Sequence, residues 1–257
     1  MNRINHLFST SKQDLLSIYF CAGHPALDAT TRIIRSLEAH GVDMIEIGIP
    51  FSDPMADGPI IQHAATQALH NGMNLHLLFE QLQNIRSSVQ VPLILMGYLN
   101  PIMQYGFENF CHSCRECGID GVIIPDLPYK DYQEEYRAIA DKYDIRVIML
   151  ITPETSAERI RMIDAHTDGF IYMVSSAATT GAQKDFDAAK REYFQRIDSM
   201  QLRNPRMIGF GISNKATFEA ACRNARGGII GSRFVSLLEQ EKDADRAIEL
   251  LIEDLKK

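Results

Sequence analysis

Short runs of apolar, often β-branched residues alternate with amphipathic stretches along the whole chain. The runs are continuously apolar rather than alternating, which is typical of parallel strands that are covered on both faces. They predict eight strands, at residues 18–21, 44–47, 93–96, 121–124, 146–150, 170–174, 207–210 and 228–230. The stretches between them predict helices at residues 29–39, 107–117, 131–142, 157–165, 185–200 and 215–223. Thr155 and Glu158 have the spacing of a capping box before one of these helices.

Eight strand–helix units in 257 residues predict a closed (β/α)8 TIM barrel of the α/β class. No linker or low-complexity segment divides the sequence, so we expect one barrel domain over residues 1–257. Extra helices are expected before the first strand and after strands two and eight, and the wide interval after strand six predicts a long loop. A doubly wound open sheet is the alternative arrangement of the same elements.

Composition and charge exclude several classes of partner. The chain has 33 acidic and 26 basic residues, a net charge of −7, and its basic residues are scattered. It therefore has no electrostatic footprint for nucleic acid or an anionic membrane surface. No apolar run approaches the roughly 18 residues of a membrane span. The apolar residues 15–22 are too few for a secretion signal and adjoin Asp14, so we interpret them as the first strand.

The cysteines and histidines show no disulfide framework and no metal site. Five cysteines, an odd number, favour a reducing, cytoplasmic location. Cys111, Cys114 and Cys117 have spacing similar to an iron–sulfur run, but the fourth cysteine is missing, and we interpret them as small core residues on one helical face. The eight histidines lack metal-binding spacing, although His24, after the first strand, is a candidate for a supporting role.

Residues 45–58, I-E-I-G-I-P-F-S-D-P-M-A-D-G, carry the strongest chemical signal. Strand alternation places Glu46 on the inner face with Met44, where a carboxylate is costly to bury without a partner or a function. Asp57 follows at the end of the loop, so one site receives an acid and a base in different surroundings. We expect burial to keep Glu46 protonated and a more polar turn to keep Asp57 ionised. A structural ion pair for Glu46 and a helix N-cap for Asp57 are the alternatives.

Two glycine clusters accompany the last two strands, G-F-G-I-S at residues 209–213 and G-G-I-I-G-S at residues 227–232. Glycines allow backbone N–H groups to approach an anion, and a helix that begins at Ser232 would point its positive end at it. Barrel enzymes often hold a phosphate at these two loops. The clusters therefore predict a phosphate site, with ordinary tight turns as the alternative.

The segment after strand six is small and rich in hydroxyl groups. Residues 175–183 read S-S-A-A-T-T-G-A-Q, a composition that suits a lid closing over a ligand, with an ordinary disordered loop as the alternative. Tyr172, near the end of the same strand, is placed to point its hydroxyl into the barrel mouth.

Together these segments resemble the tryptophan synthase alpha subunit. The resemblance extends over nearly the whole chain, and it includes A-G-H-P at residues 22–25, L-M-G-Y-L-N-P at 95–101 and P-D-L-P at 125–128. It implies a lyase of tryptophan biosynthesis that cleaves indole-3-glycerol phosphate, by a retro-aldol reaction, into indole and D-glyceraldehyde 3-phosphate. It also implies that this subunit carries no cofactor.

The resemblance implies roles for individual residues. Glu46 is the general acid and base, Asp57 accepts the indole N–H and balances positive charge on the ring, and Tyr172 flanks the glutamate. The phosphate-binding positions and the lid threonine are matched by Gly181, Gly211, Gly231, Ser232 and Thr180. Two residues depart from the family pattern and bear on lid closure: Ala178 stands where glycine is usual, and His24 where aspartate is frequent.

A partner is also implied, a beta subunit that holds pyridoxal phosphate and consumes the indole, in a cytoplasmic alpha2-beta2 tetramer. We expect the proline-stiffened loops 52–55 and 125–128 to meet it. One alternative is another phosphate-binding barrel, either an epimerase, which needs metal-binding histidines, or an indole-glycerol phosphate synthase, which needs a lysine inside the barrel. A catalytically idle subunit that only activates its partner is the alternative from another class.

Overall fold

Eight parallel strands close into a barrel in their order along the chain. The protein is represented by a computed structural model, which describes residues 1–175 and 188–256. The strands are β1 (Leu15–Cys21), β2 (Met44–Gly48), β3 (Leu93–Met96), β4 (Gly121–Ile123), β5 (Arg146–Ile151), β6 (Ile171–Val174), β7 (Arg206–Gly209) and β8 (Gly227–Ile230). Because β8 pairs with β1, the predicted (β/α)8 barrel is confirmed and the open sheet is wrong.

Helices connect the strands and surround the barrel. They are α1 (Arg3–Ser9), α2 (Thr30–Ala39), α3 (Pro59–His70), α4 (Leu75–Leu82), α5 (Leu99–Tyr105), α6 (Phe107–Cys117), α7 (Tyr129–Asp131), α8 (Arg137–Lys142), α9 (Ala157–His166), α10 (Ala188–Ser199), α11 (Lys215–Asn224), α12 (Ser232–Glu241) and α13 (Ala244–Lys256). The expected extra helices are present before β1, after β2 and after β8. Within the described residues, no helix combines the length and the apolar character needed to cross a membrane.

Two local predictions about the helices are wrong. The single helix predicted at residues 131–142 is interrupted by a π-helical segment, Tyr132–Tyr136, between α7 and α8. The capping box at Thr155 is absent because Ser156 is the N-cap of α9, and its side chain accepts the Arg159 N–H. Thr155 instead accepts the N–H of Thr152 at 2.9 Å and stabilises the preceding turn.

Alternate residues of each strand divide the core into two parts. Ile45 and Ile47 of β2 pack outward in the large cluster that includes the helices. Met44 points inward and belongs to the smaller cluster that fills the barrel. Glu46 shares the inward face with Met44 and lies one layer nearer the C-terminal end of the strand, where barrel enzymes carry their chemistry. The predicted orientation of this strand is therefore confirmed.

The opposite end of the barrel is closed by α1 and a buried charge network. Ile4 of α1 is fully buried and joins the inner cluster. The Asp120 carboxylate accepts hydrogen bonds from the guanidinium groups of Arg86 and Arg3, at 2.5 and 3.2 Å, and from the Leu93 N–H at 3.0 Å. These bonds satisfy the buried carboxylate. Together, α1 and this network close the N-terminal end of the barrel, and the C-terminal end remains open.

The three cysteines of α6 are core residues, as predicted. Cys111, Cys114 and Cys117 all point into the buried cluster, and burial raises the pKa of each thiol. All five cysteines of the chain lie in the described part, and none forms a disulfide bond.

Candidate active site

A cavity of about 230 Å³ opens at the C-terminal end of the barrel. Six of the site residues predicted from the sequence line it: Glu46, Asp57, Tyr172, Gly211, Gly231 and Ser232. The structure thus brings the two carboxylates, the tyrosine and both glycine clusters to one place. The predicted lid residues Ala178, Thr180 and Gly181 lie outside the described residues.

Glu46 is a fully buried carboxyl group with a single hydrogen-bonded oxygen. The Ser17 hydroxyl donates to Oε1 at 3.0 Å, whereas Oε2 has no partner among the described residues. Burial raises the pKa of the carboxyl to about 8, and the Ser17 hydrogen bond opposes that rise. No ion pair to Glu46 is present in the described part of the chain, so the structural ion pair is not supported. A buried carboxyl of this kind is protonated at neutral pH and can act as a general acid.

The Asp57 carboxylate is held by a phenol hydroxyl. The Tyr98 hydroxyl donates to Asp57 Oδ2 at 2.9 Å and itself accepts the Ala56 N–H at 2.9 Å. Burial raises the pKa of Asp57, and the hydrogen bond from Tyr98 opposes the rise by stabilising the carboxylate. Asp57 is partly exposed whereas Glu46 is fully buried, so its surroundings are the more polar of the two, as expected, and Tyr98 is its specific donor. The N-cap alternative is wrong, because the N-cap of α3 is Gly58.

The rings of two tyrosines each pack against a glycine of the next strand. A Cβ atom at Gly209 would be 2.1 Å from the Tyr172 hydroxyl oxygen, and one at Gly48 would be 2.2 Å from that of Tyr19. Any larger residue at either glycine would displace the ring that lines the cavity. The prediction that Tyr172 points into the barrel mouth is confirmed by its place in the cavity wall. Sequence analysis missed Tyr19, although it is the register partner of Glu46 on the inward face of β1.

The glycine clusters form one corner of the cavity. Phe210 and Gly211 have left-handed φ angles of +67° and +78°, so the chain turns sharply after β7. The Ser175 hydroxyl donates to the Phe210 carbonyl at 2.5 Å and holds this turn. Helix α12 begins at Ser232, after Gly231, and its first turn has no side-chain cap. A bound anion could accept hydrogen bonds from these backbone N–H groups.

Arg233 is a cationic residue at this corner that sequence analysis missed. It lines the cavity one residue after the start of α12. Its guanidinium donates two hydrogen bonds to Asp254 Oδ2 of α13, at 3.0 and 2.5 Å. The ion pair holds the positive charge of Arg233 at the glycine corner. No local sequence pattern predicts this pairing, because the two residues lie 21 positions apart.

His24 lies outside the cavity and braces one of its helices. Its side chain is buried, and Nε2 is 2.5 Å from Glu239 Oε2 on α12. This hydrogen bond is the main cause of the lowered pKa of Glu239. The histidine therefore ties the loop after β1 to α12, whose first residues belong to the glycine corner. Its role is to support that helix, and it does not contact the cavity.

The family model described as Tryptophan synthase alpha chain matches residues 6–256 of this sequence. The chain is also 73% identical, over 251 residues, to the tryptophan synthase alpha chain of Bacteroides fragilis, with 98% of this chain and 95% of the relative covered. This chain belongs to the tryptophan synthase alpha chain family. A more distant member from Flavobacterium johnsoniae is 58% identical over 240 residues, which cover 93% of this chain and 94% of the relative.

Solved structures of tryptophan synthases have the same fold. The subunit alpha from Legionella pneumophila is 33% identical, with a TM-score of 0.86 and coverage of 99% of this chain and 97% of its own. A chain of tryptophan synthase from M. tuberculosis is 25% identical, with a TM-score of 0.84 and coverage of 98% of both chains. Family and fold therefore agree over essentially the whole length.

Family membership confirms the activity that the resemblance implied. The protein is the carbon–carbon lyase of the alpha reaction in tryptophan biosynthesis, which cleaves indole-3-glycerol phosphate into indole and D-glyceraldehyde 3-phosphate. The epimerase and indole-glycerol phosphate synthase alternatives are not supported. In agreement, the eight strands contain no lysine, and the described residues contain no group of three or more metal-binding side chains.

The buried Glu46 predicts an unusual dependence of stability on pH. Its folded-state pKa of about 8 lies above the ordinary value of 4.5, so between these pH values the folded protein retains a proton that the unfolded chain releases. The free energy of unfolding therefore falls as pH rises through this window. Glu46→Gln mimics the neutral acid and should be more stable than wild type at pH 7 by on the order of 3 kcal/mol.

Urea unfolding at pH 5, 6, 7 and 8 measures this difference. The gap between Glu46→Gln and wild type should widen steadily with pH. Glu154→Gln, at an exposed glutamate, is the matched control and should show no such widening. A gap of equal size at pH 5 and pH 8 would mean that Glu46 titrates normally.

Proposed function

We propose that Glu46 carries out the proton transfers of the alpha reaction and that Asp57 stabilises the charged indole ring. The proposal is carried by one observation: a fully buried carboxyl with a pKa of about 8 and a second carboxylate held by a phenol line the same cavity. Cleavage of the carbon–carbon bond needs a proton delivered to a weakly basic ring carbon and a counter-charge for the resulting cation.

In the first step the neutral Glu46 donates its proton to the indole carbon that bears the glycerol chain. The ring becomes a cation, and Glu46 becomes a carboxylate. The wall around it is apolar, with Met96 and Ile229 among the lining residues, so little water competes for the proton. A low dielectric also strengthens the interaction of the new charges with fixed groups nearby.

Asp57 supplies the counter-charge in this step. Its carboxylate accepts the indole N–H, whose nitrogen carries much of the positive charge after ring protonation. Tyr98 keeps Oδ2 hydrogen-bonded and so favours the ionised form of Asp57. The group is oriented before the substrate arrives, which avoids the cost of reorganisation during the reaction.

In the second step the carbon–carbon bond breaks. The Glu46 carboxylate takes the proton of the glycerol hydroxyl next to that bond, the bonding electrons return to the ring, and the hydroxyl carbon becomes the aldehyde. Indole is neutral and aromatic again, and Glu46 has regained its proton. Tyr172 closes the wall beside this centre, and its phenol is kept neutral because burial raises its pKa.

The glycine corner binds the substrate phosphate in this proposal. Gly211 gives the anion access to the backbone, and the first turn of α12, at Gly231 and Ser232, directs its N–H groups to the same space. The family resemblance adds Gly181 as a further phosphate contact and Thr180 as the lid residue.

The rim of the cavity is the proposed docking surface for a beta subunit in an alpha2-beta2 tetramer of the cytoplasm. Met55 of the loop after β2 is 90% exposed, and Met103 of α5 is 53% exposed, so two large apolar side chains face solvent. The loop at residues 125–128 contributes less apolar surface than expected, because Leu127 is buried. Exposed methionines suit an adaptable protein contact.

Replacing the two carboxylates separates their roles. Glu46→Gln keeps the shape but removes the transferable proton, so turnover should fall by roughly two to four decades with little change in KM. Asp57→Asn still offers an oxygen to the indole N–H but lacks the charge, so it should retain more activity. Indole release from indole-3-glycerol phosphate, with and without a beta subunit, measures both. Turnover of Glu46→Gln within about threefold of wild type would refute the assignment, and an inert wild type would favour the idle-subunit alternative.

Gly211→Val tests whether the glycine corner binds the substrate phosphate. Among the described residues, a Cβ at Gly211 meets only the Ser175 hydroxyl, at 3.8 Å, and the new side chain would extend into the cavity that Gly211 lines. It should block the anion's approach and raise KM about tenfold or more. Gly72→Val is the control, because Gly72 also has a positive φ, of +94°, and a Cβ there meets no atom within 4 Å. Equal KM values for the two variants would place the phosphate elsewhere.

Hydrogen exchange on the mixed subunits tests the docking surface. Backbone amides of residues 52–58 and of α5 should gain protection when a beta subunit is added, because the partner covers Met55 and Met103. Helix α9, on another side of the barrel, should exchange at an unchanged rate. Absence of protection at both rim segments would exclude this surface as the interface.

A further inference from the structure

We propose that Ser17 is a positioning residue for Glu46, which holds Oε1 of the carboxyl so that the transferable proton resides on Oε2. The inference rests on the proposed role of Glu46 and deepens it. Its basis is the difference between the two carboxyl oxygens: Oε1 accepts the Ser17 hydroxyl at 3.0 Å, and Oε2 has no partner in the described residues.

Strand register places Ser17 beneath the carboxyl. Ser17 pairs with Met44, and Tyr19 pairs with Glu46, so the serine lies one inward-facing layer closer to the sealed base of the barrel. Glu46 lines the cavity, whereas Ser17 does not. Oε1 is therefore held from below, and Oε2 is the oxygen left for a group in the cavity.

A serine is unusual in this part of the barrel. The inner cluster around it is apolar, with Leu15 two residues before it and Met44 opposite. Ser17 is fully buried, and a buried hydroxyl without a partner is destabilising. Glu46 is the partner that satisfies it, which couples a side chain of the core to the chemistry of the cavity.

The hydrogen bond is compatible with both protonation states of Glu46. When the carboxyl is ionised, Ser17 donates to one of two equivalent oxygens. When it is neutral with its proton on Oε2, Oε1 is the carbonyl-type oxygen and still accepts the same bond. Rotation about the terminal carboxyl bond is otherwise broad and nearly two-fold, so without Ser17 either oxygen could be presented.

Other groups near Glu46 do not replace this donor. Three titratable residues share the cavity wall with it: Tyr19 of β1, Tyr172 of β6 and Asp57 of the loop after β2. Burial raises the pKa of both phenols, which stay neutral, and Asp57 is engaged by Tyr98. Within the described residues, Ser17 is the one donor to the Glu46 carboxyl.

The test is the pH profile of kcat/KM for Ser17→Ala. The reaction begins with protonated Glu46, so activity falls on the alkaline side as this group ionises. Ser17 stabilises the ionised form, and its loss should therefore move the alkaline limb upward by about one pH unit, the size of a hydrogen bond to a charged group. At the optimum, kcat should fall about tenfold because the carboxyl is misoriented, with KM within about twofold of wild type.

Ser17→Cys separates the hydrogen bond from packing. A thiol fills nearly the same space but is a weak donor, so the alkaline limb should move upward as in Ser17→Ala. If Ser17 matters only as a filler of space, Ser17→Cys will keep the wild-type profile, and the inference is wrong. The same variant decides the question if Ser17→Ala does not fold.

Ser36→Ala is the matched control. Ser36 is also a buried serine that donates to a carboxylate, Asp245, at 2.6 Å, but it lies on α2 away from the cavity. Its pH profile should equal that of wild type. A folded Ser17→Ala with the wild-type profile, while Glu46→Gln is inactive, overturns the positioning role and leaves the proposed function standing. An active Glu46→Gln overturns the proposed function itself.

Discussion

Burial of one carboxyl group inside an apolar barrel is the constraint on which the active end of this protein depends. Desolvation raises the pKa of Glu46 to about 8 and so provides an acid at neutral pH. The same burial destabilises the fold as pH rises. The closed barrel leaves Glu46 with no exposed surface, and the carboxyl tolerates burial because it is neutral and because Ser17 donates to one oxygen.

The two ends of the barrel handle buried carboxylates in opposite ways. At the base, Asp120 is paired with two arginines and a backbone N–H. At the mouth, Glu46 has no cationic partner among the described residues, and burial raises its pKa. A paired charge contributes rigidity, and an unpaired acid contributes reactivity at a cost in stability.

The predicted and observed strands agree within three residues at each end, because continuous apolar runs clearly mark strands that are covered on both faces. The predictions were wrong where more than one local conformation was possible. Thr155 and Ser156 can both cap the N-terminus of α9. Ser156 is the N-cap in the structure, because Thr155 is used in the turn that precedes the helix. The π-helical segment after α7 and the pairing of α5 with α6 likewise depend on packing against the barrel and not on local propensity.

The barrel, the inward orientation of Glu46 and the positions of the glycine clusters follow from the sequence, because strand alternation and the need for glycine act over a few neighbouring residues. The surroundings of each functional group depend on the folded chain. Tyr98 reaches Asp57 across 41 positions, and Ser17 reaches Glu46 across 29. The first contact joins the segments that follow the paired strands β2 and β3, and the second joins the paired strands β1 and β2. The burial and protonation of Glu46 could be predicted from strand alternation. The donors Ser17 and Tyr98 could not, because they are distant in sequence and only the folded chain brings them within hydrogen-bonding distance.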